Sequence, residues 1–231
     1  MNLTNYLKYF FFIANNWNYR LAIFSIYHEI RGEKKYNINT SSMDYLRNEK
    51  IESSNLKHAS IYQGTSYCLL EKTFEYLKEE NAIGSIADFG SGKGRVMVVA
   101  AAYGFKKIDG IDFAPLLCEV AEKNINKVKS LYPSSAFKII CKDVVDYRIQ
   151  KDTNVFFFFN PFDEVVMLQV VKNILASLKE NSRKIYVVYI NPVQKEIFLS
   201  AGFQEEYFVR KMEFLEFSIL SKNDEEESYS E

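Results

Sequence analysis

Cysteine and histidine are scarce in this chain of 231 residues, which has three of the first and two of the second. Cys68, Cys118 and Cys141 are odd in number and far apart, no C-x-x-C pair occurs, and neither His28 nor His58 lies near a cysteine. That argues against a structural zinc site and for free thiols used as core filler in a reducing, cytoplasmic compartment. An excess of charge of one sign is also missing. Lys and Arg total 29 against 30 Asp and Glu, a formal net charge of −1. The whole chain therefore has no field to steer it onto nucleic acid or an anionic membrane, which leaves only local patches. No apolar run is long enough to span a bilayer. The run Tyr9–Ala14 is preceded by Lys8, followed by Asn15, Asn16, Asn18 and Arg20, and lacks the basic leader and small-residue cleavage site of a signal peptide.

What is present is apolar and aromatic. Hydrophobic residues make up 48% of the chain and aromatics 16%, enough for one large packed domain rather than disorder. From about Leu3 to Ile30 the apolar spacing predicts two helices broken near Asn15-Asn16. Their large aromatic face needs a partner: the parent domain, a second copy or a membrane surface. Gly32 reads as the end of this segment and Lys34–Lys57 as a linker or mobile flap. Thr65 or Ser66 then caps a helix running to about Glu80.

From Ile83 the pattern becomes a repeated strand–helix alternation. It predicts an α/β fold, a doubly wound, mostly parallel seven-stranded sheet with a terminal antiparallel hairpin, plus the N-terminal helices. Strands are expected at Ser85–Phe89, Lys107–Asp112, Phe137–Val144, Asn154–Phe159, Lys184–Ile190, Phe203–Arg210 and Glu213–Ser221. The near-continuous apolar runs of the fourth and fifth suit strands covered on both faces. The acidic, Ser-rich segment 223–231 reads as a solvated tail.

The stretch Ser85–Arg95 joins strand to helix through a Gly-rich turn, with Asp88 before Gly90, Gly92 and Gly94. Glycines there let the backbone turn sharply and approach a ligand, and the N–H groups at the helix start favour a negative group. A dinucleotide fingerprint needs a third glycine at position 95, which is Arg95. The pattern D-x-G-x-G-x-G fits without a gap. Open α/β sheets bind ligands at the carboxyl ends of their strands, so Asp112, Phe113, Asp143, Val144 and the run Asn160-Pro161-Phe162 join the candidates.

The Asp88–Gly94 pattern resembles the first motif of class I S-adenosylmethionine-dependent methyltransferases, and the resemblance covers about Ile61 to Ser221. It implies S-adenosyl-L-methionine as cofactor. Asp88 then accepts from the methionine amino group, with the loop backbone passing beneath the cofactor. Asp112 takes the ribose hydroxyls, Phe113 stacks beside adenine, and Asp143 and Val144 hold the adenine edge. Tyr62, Gly64 and Thr65 resemble a loop that covers the methionine end in several such families. Asn160-Pro161-Phe162 sits where the family places its substrate-facing motif. It is similar to the Asn/Asp-Pro-Pro-aromatic motif of amino-group methyltransferases with one proline missing, and to the Asn-x-Phe ending of the non-SET histone-lysine enzymes. The implied acceptor is a small molecule or a protein side chain, an amine among them, with Asp163 or Tyr62 as candidate bases. Residues 1–59, outside the resemblance, are expected to decide substrate or partner, through a homodimer or peripheral membrane contact among other routes, and residues 60–222 to form the catalytic domain. The alternatives are an NAD-type oxidoreductase and a catalytically silent cofactor-binding module.

Overall fold

The computed structural model describes residues 3–40, 64–160 and 162–223. Tyr62, Pro161, most of the expected flap and residues 224–231 lie outside them.

Seven strands form one sheet in the order β3-β2-β1-β4-β5-β7-β6. The strands are β1 (Ser85–Phe89), β2 (Lys107–Asp112), β3 (Ala136–Cys141), β4 (Val155–Phe159), β5 (Ile185–Ile190), β6 (Gln204–Lys211) and β7 (Leu215–Lys222). β1 to β5 are parallel, and β7 runs antiparallel between β5 and β6. A dinucleotide-binding sheet continues 3-2-1-4-5-6 in parallel, so the antiparallel insertion separates this topology from that one. The chain reverses direction of winding between β1 and β4, which places a ligand crevice at the carboxyl end of β1.

The helices are α1 (Leu3–Asn16), α2 (Tyr19–Tyr36), α3 (Tyr67–Glu79), α4 (Arg95–Tyr103), α5 (Pro115–Val128), α6 (Glu164–Glu180) and α7 (Lys195–Ser200). They cover both faces of the sheet, giving two large apolar clusters, and a third, smaller one of Ile13, Ala14, Leu21 and Ala22 joins α1 to α2. Phe74, Val98, Phe105 and Phe157 lie in one of the large clusters, and Phe89, Phe156, Phe158 and Phe198 in the other. β4 and β5 are apolar throughout because both of their faces are buried.

Three expectations are corrected. Gly32 does not end a helix: α2 runs through it to Tyr36 and closes at Asn37 in the left-handed conformation (φ 55°). Gly32 sits in the helix because a Cβ there would come within 2.2 Å of the Tyr67 ring. It is a close-approach residue, and the segment Lys34–Tyr36 is helix rather than flap. Asp143 lies past strand β3, which stops at Cys141, and caps a 3-10 turn at Val144–Asp146 by accepting from the Val145 N–H. Cys141 is exposed, whereas Cys68 and Cys118 are buried as expected. No described helix is long and apolar enough to cross a membrane.

Candidate functional site

The turn after β1 is built from three residues in the left-handed region, Gly90 (φ 83°), Gly92 (φ 52°) and Gly94 (φ 79°), which side chains with a Cβ enter only with strain. Gly94 stands as the N-cap of α4. The turn is fastened to the end of β2. The N–H groups of Gly90 and Ser91 donate to the Ile111 carbonyl at 2.9 and 3.0 Å, and the Gly92 N–H donates to Asp112 Oδ2 at 2.8 Å. Asp112 Oδ1 accepts from the Ala114 N–H at 2.9 Å. An ionised carboxylate has about four acceptor positions, and these two bonds fix the orientation of Asp112 at the end of β2. The same bonds take up loop N–H groups that a pyrophosphate would need.

Asp88 is 2% exposed, and among the described residues its Oδ2 has no hydrogen-bond partner; neither has the buried Ser91 Oγ. Burial, with Asp112 as the second cause, pushes the Asp88 carboxyl well above the ordinary carboxylate range. An orphaned carboxyl oxygen and an orphaned hydroxyl, both buried beside a glycine turn, suit a ligand that brings polar groups of its own. A cationic amino group with an attached ribose fits this set, so the residues present fit S-adenosylmethionine.

Arg95, the residue that breaks the dinucleotide fingerprint, is buried and fully engaged. Its Nη1 and Nη2 donate to Oε1 and Oε2 of Glu29, each at 2.7 Å, its Nε donates to Thr40 Oγ1 at 2.7 Å, and Nη1 also reaches the Thr65 carbonyl at 2.6 Å. Its guanidinium lies 4.2 Å from the centre of the Tyr67 ring, and burial pushes the Tyr67 hydroxyl up to about 12. Burial also raises the Glu29 carboxyl, against the opposing pull of Arg95. Gly64 passes so close that a Cβ would meet the guanidinium carbon at 2.6 Å. Helix α2 and the loop before α3 are thus clamped to the first residue of α4. Sequence reasoning missed this pair because its members are 66 positions apart. An arginine opening the otherwise apolar run Val96–Ala102 was the available signal.

The other candidates are scattered by comparison. Phe113 is half-buried. Val144 and Phe162 pack against the core, Phe162 edge-on to Phe158 at 6.3 Å. Asp163 caps α6 by accepting from the Val165 and Val166 N–H groups. Asn160 and Asn191, the residues following β4 and β5, both adopt positive φ, 38° and 50°. Beside the ends of β4 and β5 lies a cleft of about 530 Å³, walled by Tyr9, Trp17, Leu21, Phe159, Asn191 and Phe214 among the described residues. Its charged lining is Glu29, Glu213, Glu216 and Arg210, of which Glu29 holds Arg95 and Glu216 holds Arg210.

No protein-family profile and no curated protein matches the chain. Solved structures do. A candidate RNA methyltransferase from Pyrococcus horikoshii superposes with a TM-score of 0.55 at 17% identity, over 86% of this chain and 98% of its own. The StiE O-MT segment gives 0.51 at 11% identity, over 68% and 73%. The chain has the class I methyltransferase fold. A third structure of that fold, the magnesium protoporphyrin IX methyltransferase of Synechocystis with S-adenosylmethionine bound, superposes at 0.48 and 12% identity, over 67% and 77%. At these identities the likeness establishes the fold, and the acceptor named for each structure belongs to that structure alone.

Proposed function

We propose that this chain is an S-adenosylmethionine-dependent methyltransferase whose acceptor is a small molecule with an apolar body and an amine. The observation that carries the first half is the turn itself: three left-handed glycines held against β2 by Asp112, beside the buried Asp88, whose Oδ2 has no partner among the described residues. On this reading Asp88 receives the methionine amino group and Asp112 the ribose hydroxyls. Gly90, Gly92 and Gly94 pass under the cofactor, Phe113, Asp143 and Val144 border the adenine, and Tyr62, Gly64 and Thr65 cover the methionine end. The bound cofactor supplies an electrophilic methyl on a sulfonium. The chain's part is to align the acceptor and exclude water, and alignment is worth up to roughly 7–11 kcal/mol in favourable systems.

The cleft supports the second half. Its volume falls in the range of small-molecule pockets, its lining mixes apolar and aromatic residues with polar ones, and Glu213 stands among its carboxylates beside Glu29 and Glu216, which are paired to Arg95 and Arg210. Asn160, with Phe162 and Pro161, is the substrate-facing candidate at the end of β4, and Asn191 and Glu213 join it from the cleft. Residues 60–222 then form the catalytic domain, residues 1–59 its cover, and residues 223–231 an acidic tail. The free thiols fit a cytoplasmic setting.

Calorimetry with S-adenosylhomocysteine tests the cofactor assignment. Wild type is expected to bind, and Asp112→Ala and Gly92→Asp to bind at least tenfold more weakly. Undiminished affinity in both variants overturns the site, and stabilisation by NAD(H) alone replaces the reading with an oxidoreductase. Binding without turnover over a panel of apolar amines leaves a silent cofactor-binding module.

A further inference from the structure

Helices α1 and α2 carry a second face that the fold leaves open. Tyr19, Ile23, Tyr27 and Ile30 recur at helical spacing along α2 and are 64, 62, 62 and 47% exposed. Leu7 and Phe11, one turn apart on α1, are 50 and 56% exposed. Rings join the two helices into one surface: Phe11 meets Phe10 edge-on at 5.4 Å, and Phe10 lies 6.4 Å from Tyr19. Contiguous apolar patches on a soluble surface mark an interaction site.

Charge identifies the occupant. Between Leu3 and Thr40 both acids, Glu29 and Glu33, are buried, while Lys8, Arg20, Arg31, Lys34 and Lys35 are all exposed. Arg31 and Lys35 share the single carboxylate of Glu71 on α3. Lys34 extends the α2 stripe one turn past Ile30, and Arg20 stands beside Tyr19. A chain with a net charge of −1 therefore presents, on α1 and α2, an aromatic and aliphatic band bordered by cations, with no exposed acid between Leu3 and Thr40.

We propose that α1 and α2 lie flat on an anionic lipid surface. The Tyr and Ile stripe enters the boundary between headgroups and acyl chains, where amphipathic rings are favoured, and the flanking cations meet the headgroup phosphates. A second copy of the chain is a poorer occupant, because a two-fold contact sets the same cationic border against itself. RNA is a poorer one too, since the exposed side chains of Leu7, Ile23 and Ile30 separate the rings and give a base nothing to stack on. The proposal does not depend on methyl transfer.

Vesicle co-sedimentation of the full chain tests it, using phosphatidylcholine vesicles with and without phosphatidylglycerol. Binding is expected to the anionic vesicles and to weaken with salt. Arg20→Gln with Lys34→Gln should lower the affinity roughly fivefold per cation. Ile23→Glu with Tyr27→Glu should abolish binding, with thermal stability and S-adenosylhomocysteine affinity unchanged because both side chains are exposed. The proposal is overturned by absence of binding to either vesicle, by equal binding to both with no effect of the Arg20 and Lys34 changes, by a solution dimer dissolved by the Ile23 and Tyr27 changes, or by single-stranded RNA captured through the same residues.

Discussion

Asp88 shows how one side chain can be a burden until its ligand arrives. Burial and Asp112 raise its carboxyl, so the folded chain holds a proton that the unfolded chain releases near pH 4. Stability from this group is complete below that pH and is lost as pH rises through the folded value. Asp88→Asn is therefore expected to raise Tm at neutral pH, with a gain that shrinks toward about pH 4. The same change should weaken S-adenosylhomocysteine binding by about tenfold or more through loss of a charged acceptor. Thermal denaturation across pH, paired with calorimetry, checks both signs. A variant that neither gains stability nor loses affinity places Asp88 outside the site.

At the scale of elements, the decisive contacts are those that seat α2. Gly32 admits the Tyr67 ring, which stacks on Tyr36 at 5.7 Å and 9° and lies under Arg95. A methyl group at position 32 would meet three ring atoms at 2.2 to 2.6 Å. Gly32→Ala should therefore destabilise by about 1–3 kcal/mol in chemical denaturation, despite the better helix propensity of alanine. Glu29 and Arg95 are 3% exposed each. Glu29→Ala leaves a buried guanidinium without its bidentate partner, and a loss of about 3–5 kcal/mol is expected by the same measurement. Glu29→Leu combined with Arg95→Met removes both charges and should recover much of that loss. Failure of the double variant to recover would mean that the bonds from Arg95 to Thr40 and Thr65 matter more than the ion pair.

For the whole molecule, α1 and α2 are fixed to the sheet layer through Arg95 and through the Glu71 cluster. Glu71 accepts from Arg31, Lys35 and the Tyr36 hydroxyl; burial works to raise its carboxyl, and these three bonds hold it below the usual range. Removing residues 1–40 should accordingly lower Tm sharply rather than release an intact sheet domain, as scanning calorimetry would reveal. Much of this architecture was legible in the sequence. β1 and β2 fall where alternation and turn residues put them, and the final pair of strands is antiparallel as its spacing suggested. The glycine turn was legible because only glycine combines with that spacing, whereas the Arg95–Glu29 clamp was not, because local patterns carry no record of a contact between remote segments. Gly32 was misread for a related reason: the rule that glycine breaks helices is local, and the ring that requires it comes 35 residues later. β3 was drawn too long because it is an edge strand whose half-exposed residues pass smoothly into the turn capped by Asp143.

The position of β7 has a consequence for biosynthesis. It is made after the other six strands of the sheet, yet it lies inside the sheet, and among the described strands β6 pairs with β7 alone. Until Lys222 has left the ribosome, β5 presents a bare apolar edge and β6 dangles without a hydrogen-bonded neighbour. A message truncated between residues 211 and 215 thus yields a product that has six of the seven strands and an open, aggregation-prone seam, a ready target for chaperones and proteases.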